Sequence, residues 1–232
     1  MNWSAISVIV LAGVVHATLQ LSLGALVLLY HESLGKHIKI KTKRLASNYI
    51  LGAMLLIGLI LTTVCYFISV LTAGNLSLKT LVIVTGILVA LAISVWFFYY
   101  RSGRTTELWL PKTVSRYINR RARKTESNVE AFALGMLANF AELPFSLVLF
   151  LVAADSVLLL PAYWQILGIF LYTIIAILPL AVLRFSVKKG KTVAEIQKWR
   201  NKNKTFFKIL AGCGFLTLAL FLVAFKLLKD VV

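Results

Sequence analysis

Apolar residues in this chain occur in long uninterrupted runs, which are separated by shorter segments rich in charge. A helix needs about 20 apolar residues to cross a bilayer. Because apolar and polar residues do not alternate within the runs, helices are favoured over the strands of a membrane barrel. The pattern predicts an all-α polytopic membrane protein with six transmembrane helices, called here spans one to six: Ala5–Tyr30, Asn48–Ala73, Thr80–Tyr100, Val129–Ala154, Tyr163–Phe185 and Phe206–Leu228.

The composition supports this interpretation. Hydrophobic residues make up 60% of the 232 residues and charged residues only 14%, and the mean hydropathy is +0.89. Soluble domains carry about 25% charged residues. A soluble globule and a disordered chain are therefore both excluded.

The net charge of +17 is distributed unevenly. All but three of the 25 Lys and Arg lie in or beside the segments that follow spans one, three and five; the exceptions are Lys79, Lys226 and Lys229. Because basic loops stay on the cytoplasmic side, we expect both termini to lie outside a cytoplasmic (inner) membrane. Confinement of the charge to these loops favours contact with anionic lipid rather than with nucleic acid.

The chain is predicted to form a single membrane domain with two halves of three spans. Repeat one covers residues 5–100, a basic cytoplasmic linker covers 101–128, and repeat two covers 129–229. Span one enters the membrane in the opposite direction to span four, so the halves are predicted to be inverted repeats, a common plan for transporters.

The linker contains two local signals. Leu110, Val114, Tyr117 and Ile118 have helical spacing among arginines, which predicts an amphipathic helix on anionic lipid, with a protein partner as the alternative. Ser127 and Glu130 form the S-x-x-E pattern of a capping box before span four.

Glu142 is the only acidic residue that the sequence places deep within a span. A carboxylate near the bilayer centre costs roughly 2.5–3.5 kcal/mol on insertion scales, so Glu142 is a candidate site residue. Asn139 precedes it by three positions and shares its helix face. Glu142 is either a proton carrier or cation ligand, or a hydrogen-bonded structural glutamate.

Span one carries His16 and Gln20, four residues apart and at similar depth. One hypothesis is that His16 approaches Glu142 and titrates with it; the alternative is that both side chains make interhelical hydrogen bonds. Small or helix-weakening residues in these and later spans are expected to permit close packing, kinks and gating: Gly13, Gly135, Pro144 and Pro179.

The remaining chemistry is sparse. Cys65 and Cys213 differ in expected depth by about 15 Å. A disulfide needs Cα atoms within about 7 Å, so they are predicted not to pair. The chain has no catalytic motif and no metal-ligand spacing. We therefore expect no enzymatic activity, no metal and no cofactor.

The second half resembles a known family. The run Ala133–Phe150, with Gly135 and the string Glu142-Leu143-Pro144-Phe145-Ser146, is similar to the fourth helix of CcdA/DsbD-type cytochrome c biogenesis proteins, in the wider LysE-like transporter superfamily. Residues 171–180 and 198–212 look like its fifth helix and the basic start of its sixth. The resemblance implies six helices in inverted repeats, with spans one and four at the centre.

It would also imply electron transfer through one cysteine in each central helix. The matching positions here are Phe145 and Leu21. Because thiol exchange requires a thiolate, the resemblance does not carry redox activity to this chain.

The sequence therefore predicts a transporter or exporter of a small solute or ion that works by alternating access. Glu142, Asn139, His16 and Gln20 are expected to line its site. Two alternatives stay open: a thiol-reductant conduit that uses Cys65 and Cys213, and a scaffold or assembly factor that transports nothing.

Overall fold

We describe the fold from a computed structural model, which covers residues 3–19, 26, 29, 36–72, 76–97, 112–188, 195, 198–199 and 202–224. Every regular element in these residues is helical. The helices in chain order are α1 (Trp3–Leu19), α2 (Lys36–Leu71), α3 (Leu78–Phe97), α4 (Lys112–Lys124), α5 (Asn128–Leu158), α6 (Ala162–Lys188) and α7 (Lys204–Leu222).

Five of these helices are long and apolar enough to cross a membrane. They are α3, α5, α6, the Thr42–Leu71 part of α2 and the Thr205–Leu222 part of α7. Helix α1 is apolar but shorter, at 17 residues, and Leu26 and Leu29 beyond it are also helical and buried. The chain is therefore an α-helical, multi-pass membrane protein, as the sequence predicts.

Helix α2 begins at Lys36, well before the predicted start of span two at Asn48. Its 36 residues extend over about 54 Å, which exceeds the thickness of the hydrocarbon core. Lys and Arg are good helix formers, so a helix continues into a basic segment where a hydropathy pattern stops. The predicted end of span six, at Leu228, lies outside the described residues.

Helices α1 and α5 are the most enclosed. In α1 only Trp3, Ser4 and Ser7 are exposed. In α5 every residue from Val148 to Val157 is buried except Leu151, which is half-buried. The other spans place large apolar side chains on the outside of the bundle, as lipid-facing helices do, among them Leu51, Leu59, Ile83, Phe170 and Phe206.

Helices α2 and α5 pack side by side in parallel. The backbones touch between the middle of α2 and the first turns of α5: a β-carbon at Gly52 would overlap the carbonyl of Phe132, and one at Gly135 would overlap the carbonyl of Tyr49. Towards the C-terminal ends of both helices the Cys65 thiol lies 4.0 Å from the carbonyl oxygen of Ala154. The absence of a side chain at the two glycines is what permits this approach.

Helices α1 and α6 form a second parallel pair. Gly168 lies against Ile9, and Gly13 lies one turn further along both helices, against Ile175 and the carbonyl of Tyr172. The two pairs meet where α1 contacts α5 and where α2 contacts α6. Helices α3 and α7 pack together, and Trp96 of α3 lies on Gly212 of α7.

Helix α4 is the amphipathic helix expected in the linker. It packs against α5, with Ile118 and Ala122 buried. Tyr117, expected on the apolar face, is instead exposed and hydrogen-bonds Arg121, which raises the pKa of that guanidinium. Leu110 lies outside the described residues.

The capping box at the start of α5 is confirmed. The Glu130 backbone N–H donates to Ser127 Oγ at 3.2 Å, and the Glu130 carboxylate accepts from the Ser127 N–H at 3.4 Å. These bonds fix the point where α5 begins after the linker.

We expect Gly135→Ala to lower the free energy of unfolding by roughly 1–3 kcal/mol, because the added methyl group overlaps the backbone of α2. Gly86→Ala on α3 is the matched control, since nothing lies within 4 Å of a β-carbon there. That variant should leave stability unchanged or raise it by up to about 1 kcal/mol. Thermal unfolding of the purified proteins in detergent compares the two. Equal changes in stability in the two variants would contradict the contact between the backbones of α2 and α5 at Gly135.

Candidate functional site

A stripe of polar side chains runs along the inner face of α5. Asn139, Glu142 and Ser146 lie three and four residues apart, so they share one face of the helix. All three are buried, with 4%, 4% and 3% of their surface exposed. Glu142 lies about 21 Å along α5 from Asn128, in the middle of the span. Its side chain is therefore enclosed by protein and does not face lipid.

The hydrogen bonds of this stripe are partly made within α5. The Asn139 side-chain N–H donates to the carbonyl oxygen of Gly135 at 3.0 Å, and Ser146 Oγ donates to the carbonyl oxygen of Glu142 at 3.1 Å. Asn139 Oδ1 is buried and accepts no hydrogen bond from the part of the chain that the structure describes. An acceptor of this kind in a protein interior calls for a ligand or an ordered partner.

His16 connects three helices at a second polar position. It is 2% exposed, and its Nδ1 lies 2.8 Å from the hydroxyl oxygen of Tyr172 on α6. Its ring also stands edge-on to Phe150 of α5, with 5.3 Å between the ring centroids. The interhelical hydrogen bond is thus the interpretation of His16 that the structure supports.

His16 and Glu142 do not lie at the same level of the bundle. Phe150, which His16 contacts, follows Glu142 by eight residues, or about 12 Å along α5. The hypothesis that the two side chains pair assumed that residues near the centres of two spans lie at the same depth. Side-chain packing between α1 and α5 sets their offset instead. Gln20 lies outside the described residues.

The four predicted gating positions fall into two groups. Gly13 and Gly135 are both packing positions, where a neighbouring helix approaches the backbone closely. Pro144 and Pro179 lie inside α5 and α6, which continue through them. Pro144 is exposed on the side of α5 away from Glu142, because two residues turn a helix by about 200°.

Asp155 is a second buried acid that the sequence reasoning missed. It is 1% exposed and lies near the C-terminal end of α5, which continues to Leu158. The sequence interpretation ended span four at Ala154, one residue before Asp155. The apolar residues 157–160 that follow were the signal that the helix goes on.

The two cysteines are both free, as expected from their depths. Cys65 is buried between α2 and the end of α5, whereas Cys213 is exposed on α7. Neither lies on α1 or α5, the helices that carry the polar side chains.

Comparison of the chain with protein-family models, with curated proteins and with solved structures found no match.

We expect Tyr172→Phe to lower the free energy of unfolding by about 0.6 kcal/mol, the average for an interhelical hydrogen bond in a membrane. The loss should not exceed about 1.7 kcal/mol, the largest value for such bonds. Tyr66→Phe is the control, because Tyr66 is 64% exposed on the outside of α2. A double-mutant cycle with His16→Phe separates the hydrogen bond from ring packing. Additive effects in that cycle would contradict a His16–Tyr172 interaction.

Proposed function

We propose that this chain is a transporter or exporter of a small solute or ion in the cytoplasmic membrane, working by alternating access between two inverted three-helix repeats. The observation that carries the proposal is the burial of Glu142 and Asn139 inside a bundle whose outer surface is apolar. An ionisable side chain in a membrane span is expensive and marks a substrate or ion pathway by default. Enclosure within protein is what such a pathway requires.

The helix contacts support inverted repeats. In inverted repeats α1 would correspond to α5, and α2 would correspond to α6. The α1–α6 pair would then correspond to the α5–α2 pair, and both pairs are indeed parallel. The detail agrees as well: Gly13 of α1 lies against the carbonyl of Tyr172 on α6, and Gly135 of α5 lies against the carbonyl of Tyr49 on α2. A two-fold axis in the membrane plane would relate such contacts.

The same directions support a sixth crossing by span one. If α2 and α5 both leave the cytoplasmic side, α6 returns to it, and α1, which is parallel to α6, also runs towards it. Both termini then lie outside, as the basic segments require.

In this proposal the α1–α6 pair rocks against the α2–α5 pair. Two contacts mark the seam between the pairs. His16 of α1 lies beside Phe150 of α5. Gly58 of α2 lies beside Thr173 of α6, whose hydroxyl oxygen would be 3.8 Å from a β-carbon at Gly58. Glu142 and Asn139, together with Gln20 from span one, would line the central site. Gly13 and Gly135 would hold each pair together during the movement, and Pro144 and Pro179 would lower the cost of bending α5 and α6.

From the resemblance to CcdA/DsbD-type proteins, this proposal takes the arrangement of the helices and leaves out the thiol chemistry. A thiol-reductant conduit would depend on Cys65 and Cys213, which lie on different helices and do not pair. The His16–Tyr172 bond is compatible with a scaffold that transports nothing. The experiment below distinguishes transport from both alternatives.

We expect the central site to open to each side of the membrane in turn. In a background with Cys65→Ala and Cys213→Ser, Ser146→Cys places one thiol a turn from Glu142. This thiol should react with a membrane-impermeant maleimide in both right-side-out and inside-out vesicles. Ala92→Cys, at a fully buried position of α3, should stay protected in both.

Protection of the Ser146→Cys thiol from both sides would overturn alternating access and favour the scaffold. The thiol conduit would be favoured if the cysteine-free protein, without Ser146→Cys, failed to replace the wild-type protein in cells that lack their own copy.

The proposed orientation has its own test. Alkaline phosphatase fused after residue 75 or after residue 232 should be active, because it would fold outside the membrane. Green fluorescent protein inserted after residue 105 should fluoresce, because the basic linker would stay in the cytoplasm. The reverse pattern at these sites would contradict the orientation.

A further inference from the structure

We infer that Asn139 and Glu142 form one wall of a binding site for a monovalent metal cation of the Na⁺ class. The inference deepens the proposed function, since the cation would be the cargo or the coupling ion. The binding site itself does not depend on transport, so the two can fail separately.

The orientation of the Asn139 amide is the first argument. Its N–H group is held by the carbonyl oxygen of Gly135, so its oxygen is the atom directed away from the helix backbone. That oxygen is buried, and no described residue donates to it. An amide oxygen is a hard neutral ligand of the kind that alkali and alkaline-earth cations select.

The position of Glu142 is the second argument. It follows Asn139 by three residues on the same face, where β-carbons of helical neighbours lie about 5–6 Å apart. The carboxylate and the amide oxygen can therefore reach one ion between them. Ser146, one turn further on, adds a hydroxyl oxygen whose lone pairs remain available, because its hydrogen is donated to the carbonyl oxygen of Glu142.

Charge selects the class of cation. One carboxylate neutralises one positive charge, and an uncompensated charge in an apolar interior is costly. Asp155, the other buried acid among the described residues, lies thirteen residues further along α5, at about 20 Å and near the end of the helix. Glu130 is exposed and caps the start of α5, and the other five acids lie outside the apolar spans. A divalent ion would leave a net positive charge at this site.

The direct test measures cation binding to the purified full-length protein in detergent. Radioactive ²²Na⁺ should bind saturably in a scintillation-proximity assay, and NaCl should raise the melting temperature more than choline chloride at equal ionic strength. This comparison needs no variant, so it stands even if a substitution impairs folding.

Variants then assign the ligands. Glu142→Gln and Asn139→Ala should each weaken Na⁺ binding by at least about 10-fold, because replacing even a residue that only supports a metal ligand costs about 10–100-fold in affinity. Asp155→Asn, which removes the other buried acid of the same helix, should leave the affinity unchanged. Ser156→Ala is a second control at a buried polar position away from the stripe.

Each outcome decides between the two proposals. If Na⁺ binds but the maleimide does not reach the Ser146→Cys thiol from both sides, the binding site stands and transport is overturned. Two-sided access without any difference between NaCl and choline chloride would keep transport and overturn the site. Loss of Na⁺ affinity in Glu142→Gln but not in Asn139→Ala would overturn a site shared by the two side chains. Stronger binding of Ca²⁺ or Mg²⁺ than of Na⁺ would refute the charge argument.

Discussion

Polar side chains within a membrane span must be shielded from the lipid, and in this protein that constraint falls mainly on α5. The helix carries Asn139, Glu142, Ser146 and Asp155, all of them buried. Exposing such groups to hydrocarbon costs several kcal/mol for each unsatisfied one. Other helices must therefore cover the polar face of α5, and their arrangement follows from this need.

Glycine makes the enclosure possible. The hydrophobic effect does not distinguish one helix from lipid, so close packing must hold the bundle together. At Gly52 and Gly135 the backbones of α2 and α5 touch, and at Gly13 the backbone of α1 lies against α6. These contacts form two parallel pairs whose seam contains His16 and Phe150. The proposed movement across that seam would leave the glycine contacts intact.

The polar groups form two layers rather than one. In the first layer His16 and Tyr172 hydrogen-bond each other beside Phe150. In the second layer Glu142 and Asn139 lie about two and three turns from Phe150 along α5. This separation gives the two layers different roles in the proposed function. The first links α1 to α6, whereas the second offers oxygen atoms to a ligand.

The sequence by itself determined the elements that depend on neighbours along the chain. Hydropathy summed over about 20 residues identifies a span, and the capping box lies within four residues, so both could be read without a fold. The sequence also singled out Glu142, Asn139 and His16. Only the tertiary structure decided that His16 bonds Tyr172 and that Asp155 is buried. The reason is that side-chain packing sets the offset and rotation of one helix against another. A pattern of residues along the chain does not contain that information.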